Sequence, residues 1–331
     1  EERIYVDAIF PVRGSIEGGG VIQVVSSQTF ADSESFVCTF GSGTSRAHVD
    51  GAKINLTTVE CLVPAAEVPG KVCVEISNNN VDFSNNCVQF EYTPAATVSR
   101  LGQKHGPRTG GTEVTVEGSH FGESSDMRCR FGDKYTDDVR VVSSTTAVCV
   151  APAASASGWV SLEVSNNGGA DYTQNGLQYL YVEPARVDYV YPESGPESGG
   201  TLLMIGGSNF YSSAELMCHF IGTSDGREVA TTKATWISSS ALTCVSPPHR
   251  PSTIRVAVSS NGQQKTKESV HFAFHTRISV TTVFPSRGSH QGGTSVMITG
   301  TGFSNASGRL SCRFDETVEL AEFVSETRVS C

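Results

Sequence analysis

Apolar and polar residues alternate along this chain in short runs, and the runs recur at domain-sized spacing. Val88-Gln89-Phe90-Glu91-Tyr92 puts an apolar side chain at every second position. A period of two gathers such residues on one face of an extended strand. Residues 114–117, 202–206 and 296–299 repeat the pattern, each shortly after a Gly-Gly pair, and predict half-buried strands with one apolar face. The aromatic pairs Phe90 and Tyr92, Tyr179 and Tyr181, and Phe272 and Phe274 are expected to enter a core. Nowhere does a segment of helical length space apolar residues by three and four, so the chain reads as all-β.

Glycines set the larger period. Gly14, Gly106, Gly195 and Gly288 are each followed four residues later by a Gly-Gly pair, at intervals of 92 (14 to 106), 89 (106 to 195) and 93 (195 to 288). Such a unit is large enough to bury its own core and is not a solenoid turn. The expected domains are 1–93, 94–183, 184–275 and an incomplete 276–331. Three of the four anchors are approached through Pro-x-x-Gly, at Pro11, Pro192 and Pro285, with Gln103 standing in the second copy. Proline presets φ and glycine supplies positive φ, so the motif predicts a turn at which the chain reverses between two strands. In the first repeat seven short strands separated by Gly, Pro and Asn turns describe an immunoglobulin-like sandwich. The fourth repeat stops at Cys331, before the segments that complete the other three. The expectation is a longer array, with Phe303, Phe314 and Val324 left against water in the sequence as it stands.

Cysteine spacing adds the compartment. Each repeat has Cys-x-Phe (Cys38, Cys129, Cys218, Cys312) and a second cysteine 19 to 26 residues on (Cys61, Cys149, Cys244, Cys331). Pairing within each repeat uses eight of the ten, and Cys73 with Cys87 closes the last hairpin of the first repeat. An even count distributed in this way points to an oxidising compartment. Free thiols in the cytosol would give no reason for two per repeat, and the absence of Cys-x-x-Cys argues against zinc. Net charge is −10, with 12 acidic and 5 basic residues in 1–93 but 7 of each in 184–275. That balance offers no basic stripe to a nucleic acid. No apolar run reaches the roughly 18 residues that cross a bilayer, so no membrane segment is expected within this chain.

In order, Pro-x-x-Gly, Gly-Gly-Thr, Gly-x-x-Phe, Cys-x-Phe-Gly, Cys-x-x-Pro and Ser-Asn-Asn-Gly resemble the IPT/TIG domain, an immunoglobulin-like fold. The resemblance covers essentially the whole chain. The first repeat departs from it with Ser27-Gln28-Thr29-Phe30, and the third and fourth lack the glycine after Cys-x-Phe. It implies the settings in which such domains occur: plexin-like and Met-like receptor ectodomains, fibrocystin-like surface proteins and Rel-type transcription factors. It brings no catalytic residues.

Candidate chemistry is sparse. His271 and His275 share a strand face without a third ligand nearby in sequence, and Asp32, Glu34, Glu123 and Asp126 lack the dense spacing of a calcium loop. No nucleophile elbow or phosphate-cradling loop occurs. No enzyme activity, cofactor or metal is expected. Two N-glycosylation sequons are present, Asn55-Leu56-Thr57 and Asn305-Ala306-Ser307, the second on a polar loop. Short linkers, two of three containing proline, predict tandem sandwiches arranged as a rod on the order of 120 Å long. The function expected is that of an extracellular structural or adhesive glycoprotein with protein partners, self-associating into fibres. The alternative is the stalk of a plexin-like or fibrocystin-like receptor ectodomain.

Overall fold

A computed structural model describes residues 4–30, 35–43, 46–122, 126–304 and 310–331. Every regular element among them is a strand. The chain divides into two compact units, Glu1–Tyr181 and Val182–Cys331.

The first unit begins with eight strands: β1 (Ala8–Phe10), β2 (Arg13–Ser15), β3 (Val21–Val25), β4 (Phe36–Phe40), β5 (Ala47–Asn55), β6 (Thr58–Leu62), β7 (Gly70–Ser77) and β8 (Val88–Thr93). They run in the order β1-β3-β6-β5-β4-β7-β8-β2. The nine-residue β5 carries the sheet from one layer to the other, because Gly51 pairs with Phe36 on one side and Cys61 on the other. A Cβ there would lie 2.8 Å from Val59, so only glycine lets the strand bend through the core edge. In the second and third repeats the equivalent strand is broken, at 134–143 and 228–238, and each domain separates into a five-stranded and a four-stranded sheet.

Eight strands rather than the expected seven follow from what Pro-x-x-Gly does. It is not a reversal. β1 pairs antiparallel with β3, whereas β2 pairs parallel with β8 (Arg13 with Glu91, Gly14 with Tyr92), so the chain crosses from one layer, at one end of the strand order, to the other at Pro11-Val12. The reversal comes later, where Gly18 N–H donates to Ser15 O at 3.0 Å and Gly18 and Gly19 take φ of 70° and 83°. The third repeat crosses in the same way, Ser194–Pro196 lying parallel to Val270–His275. Gly14 is required at the crossing because a Cβ would sit 2.9 Å from the Phe90 ring.

The two layers meet over a core in which the period-two aromatics are all buried: Phe90, Tyr92, Tyr179, Tyr181, Phe272 and Phe274. Each pair is edge-to-face, with ring centroids 5.0 to 5.1 Å apart. Full burial of such a side chain stabilises by about 1.5–3 kcal/mol. Ile22, Val24, Val59, Val74 and Ile76 complete the first core, and Val114, Val116, Leu162 and Val164 the second.

The second unit contains the third repeat, whose core is built from the same positions, and the fourth. In the fourth, Ser279–Phe284, Met297–Thr301, Arg328–Ser330 and Glu322–Ser325 form one sheet and Ser311–Phe314 with Thr317–Leu320 another. Phe314 and Val324 are exposed, as the sequence suggests, but Phe303 is buried with Cys312 and Val329. Its ring folds back over Gly300, where a Cβ would stand 2.9 Å from it, and thereby finds its cover within the residues present.

Candidate functional site

The described residues build tandem β-sandwiches. Their candidate features are cross-links, loops and sheet faces. Among the described residues no group of three or more His, Cys, Asp or Glu is placed to hold a metal. His271 is exposed, and His275 has its Nδ1 at 2.9 Å from Thr276 O. Asp126 contributes its carbonyl to Gly168 N–H, whereas Asp32, Glu34 and Glu123 lie outside the described residues. No described helix is long and apolar enough to cross a membrane.

In the structure the cysteines are joined as Cys38–Cys61, Cys73–Cys87, Cys129–Cys149, Cys218–Cys244 and Cys312–Cys331. Three of these tie one layer of a sandwich to the other through its buried centre, and in Cys312–Cys331 the second cysteine is only partly buried. The fifth, Cys73–Cys87, links β7 to the loop just before β8 with its Cα atoms 4.9 Å apart.

Asn55 ends β5 with its side chain exposed. Its Oδ1 accepts hydrogen bonds from Thr57 N–H at 2.8 Å and Thr57 Oγ1–H at 3.1 Å, so the sequon is folded on itself at a hairpin tip. Asn305 lies outside the described residues.

The Ser-Asn turns do more than reverse the chain. Ser77, Ser165 and Ser259 are buried, and each donates its hydroxyl to the asparagine two residues on, Asn79, Asn167 or Asn261, at 2.8 to 3.3 Å. Within the first unit this loop also joins repeats: Asn167 Nδ2 donates to Arg13 O at 3.3 Å, and a Cβ on Gly20 would be 3.4 Å from Asp171. A polar cleft of about 630 Å³ opens beside this contact, between Arg13, Glu17, Thr97, Arg130 and Asn175. Glu163, also buried, accepts from Thr173 Oγ1–H, Asn175 N–H and Gly176 N–H at 2.5, 3.2 and 2.8 Å, and so holds the end of the same loop. Nothing in the local sequence marks Glu163, because its partners come from ten to thirteen residues away.

In the third repeat the corresponding outer sheet face buries His219, whose Nδ1 lies 2.8 Å from Glu228 Oε2; Lys265 Nζ reaches the same oxygen. The Lys265 ammonium holds the Glu228 carboxyl below its ordinary range; burial, the next largest influence, opposes it, and His219 adds to the lowering. Burial pushes the Tyr92 and Tyr179 phenols up to about 12, and Tyr181 higher still. Tyr92 and Tyr181 each donate to a proline carbonyl after the second cysteine, Pro64 O at 2.9 Å and Pro152 O at 2.8 Å.

The run 202–206 departs from its expected single apolar face. Leu203 and Ile205 are in the core, but Leu202 and Met204 are apolar as well and point outward beside Tyr189, Tyr191 and Val245.

Cross-linked β-sandwiches repeated in tandem, with the cysteines, glycines and Ser-Asn turns at equivalent places, define an immunoglobulin-like domain array. The chain belongs to the IPT/TIG domain family, whose model matches residues 5–92, 96–181, 185–274 and 279–331. It is similar to mouse Fibrocystin-L, at 29% identity over 212 residues, covering 62% of this chain and 5% of that protein. It is also similar to human Plexin-A2, at 30% identity over 148 residues, covering 45% of this chain and 8% of that protein. A solved structure of the Plexin A4 full extracellular region aligns over 98% of this chain and 28% of that one, at 15% identity and a TM-score of 0.46. The chain thus spans a small fraction of the length of the curated relatives it matches.

Proposed function

We propose that the chain is part of an extracellular structural or adhesive protein, in which tandem IPT/TIG domains divided near residues 93, 183 and 275 act as cross-linked spacers and self-associate into fibres. The observation that carries this reading is the placement of all ten cysteines as pairs inside repeats, which suits an oxidising milieu and lets each domain bear load on its own. The sequon at the exposed tip of β5 fits a glycosylated surface, with Asn55 and Asn305 as the acceptors. A second reading, the stalk of a receptor ectodomain, is favoured by the similarity to a plexin and to Fibrocystin-L. Imaging of native material from intact cells, after labelling with a membrane-impermeant reagent, separates the two. Labelled filaments support the fibre, labelled isolated particles the stalk, and failure to label contradicts both.

A further inference from the structure

The outer face of one sheet in the third repeat is apolar where that of the second is not, and the first and fourth repeats share part of its character through Phe10, Val21 and Leu62 and through Phe284 and Met297. Tyr191 pairs with Met204 across Arg186–Tyr191 and Leu202–Ser208, Leu202 pairs with Val245, and Tyr189 lies over Gly206, where a Cβ would meet its ring at 2.1 Å. These five side chains remain 54% (Tyr189), 57% (Tyr191), 64% (Leu202), 45% (Met204) and 46% (Val245) exposed. The equivalent face of the second repeat carries Arg100, Glu113, Thr115 and Glu117, with Arg100 and Glu117 ion-paired at 3.0 Å. Propensity for strand cannot explain the difference, since threonine and charged residues hold the same strands in the second repeat.

We propose that this face is the contact between two copies of the chain, packed sheet to sheet about a two-fold axis through the third repeat. The inference rests on the self-associating reading above. Size and charge select the occupant. About half of five large side chains is on the order of 500–600 Å² per face, so two copies remove about 1,100 Å² from water, enough for a weak specific interface. A chain of net charge −10 repels its own copy, most strongly through the first repeat with 12 acidic against 5 basic residues. The third repeat has 7 of each, and the charged pair at the rim of the face, Arg186 and Asp188, is internally neutralised at 2.8 Å. Neither sequon lies in the third repeat, so no N-linked glycan is attached to shield it. Tyrosine and methionine with no lysine or glutamate is also the composition of an interface centre. Two such faces stack in the aligned manner of sheets within a sandwich, about 10 Å apart.

The test is sedimentation of the 331-residue chain with its disulfides formed, up to about 100 µM, where an interface of this size associates measurably. The expected result is a monomer–dimer equilibrium weakened about tenfold or more by Leu202→Glu or Met204→Glu and unchanged by Val21→Glu on the first repeat. A monomer at every concentration overturns the proposal, as does a dimer indifferent to both third-repeat substitutions. A photo-reactive phenylalanine analogue in place of Tyr191 gives a readout independent of how the glutamate variants fold: cross-links must land on residues 186–208 or 241–245 of the second copy, and cross-links elsewhere overturn the pairing. Filaments in native material with a monomeric chain would sink this face and leave the fibre reading; a dimer through this face with no filaments would do the reverse.

Discussion

A methyl group on Gly106 would lie 2.3 Å from the hydroxyl oxygen of Tyr179 and 2.1 Å from Thr112 Oγ1. The repeat anchor is therefore a packing requirement: the short segment after the sheet crossing lies so close to the last strand that no Cβ fits. Gly106→Ala is expected to destabilise the second repeat by about 1–3 kcal/mol, the usual range for overpacking a core. Amide exchange resolved by repeat checks it, with loss of protection confined to 94–183; unchanged protection would mean the strand yields at no cost.

Much of the fold is legible in the sequence because its causes are local. Period-two aromatics at 90 and 92, 179 and 181, and 272 and 274 fix which face is buried, and the Cys-x-Phe spacing locates equivalent strands in each repeat. The crossing at Pro11-Val12 was not legible, since proline and glycine encode φ but not which distant strand, β3 or β8, the chain then joins. The apolar outer face of the third repeat left a trace in Leu202-Leu203-Met204-Ile205, a run apolar at every position, but a run alone does not say whether a second layer covers it. Glu163 was invisible for the same reason: its burial depends on a loop that returns over the sheet.

Asn167 joins two domains by its two ends. Its Oδ1 accepts from Ser165 Oγ–H and Asp171 N–H, and its Nδ2 donates to Arg13 O. Asn167→Ala should cost about 1–3 kcal/mol by leaving buried groups unpaired. Exchange should accelerate both at 13–20 in the first repeat and at 166–171 in the second. Acceleration in the second repeat alone would show that the contact between them contributes nothing.

Alkaline stability should follow the buried phenols. Tyr92 and Tyr179 have folded pKa values of about 12 against an ordinary value of 10. A raised pKa contributes stability that is fully present below pH 10, where neither state ionises, and is lost as pH rises towards 12, where only the unfolded chain readily gives up its protons. Tyr179→Phe should therefore flatten the decline of denaturant stability across that window. An identical decline in the variant would place the sensitivity elsewhere.

Glycan occupancy can be read from intact peptides of the native protein. Peptides spanning Asn55 and Asn305 are expected to carry N-linked glycan, removed by an amidase with conversion of the asparagine to aspartate. Unmodified peptides at both positions would contradict the surface reading of these sequons.

The central claim, an array of separately cross-linked domains matured outside the cytosol, is tested most directly by mapping non-reduced peptides of the native protein after blocking free thiols. The account predicts no blocked cysteine and five bridges, Cys38–Cys61, Cys73–Cys87, Cys129–Cys149, Cys218–Cys244 and Cys312–Cys331. Quantitatively blocked thiols, or any bridge joining one repeat to another, would contradict it.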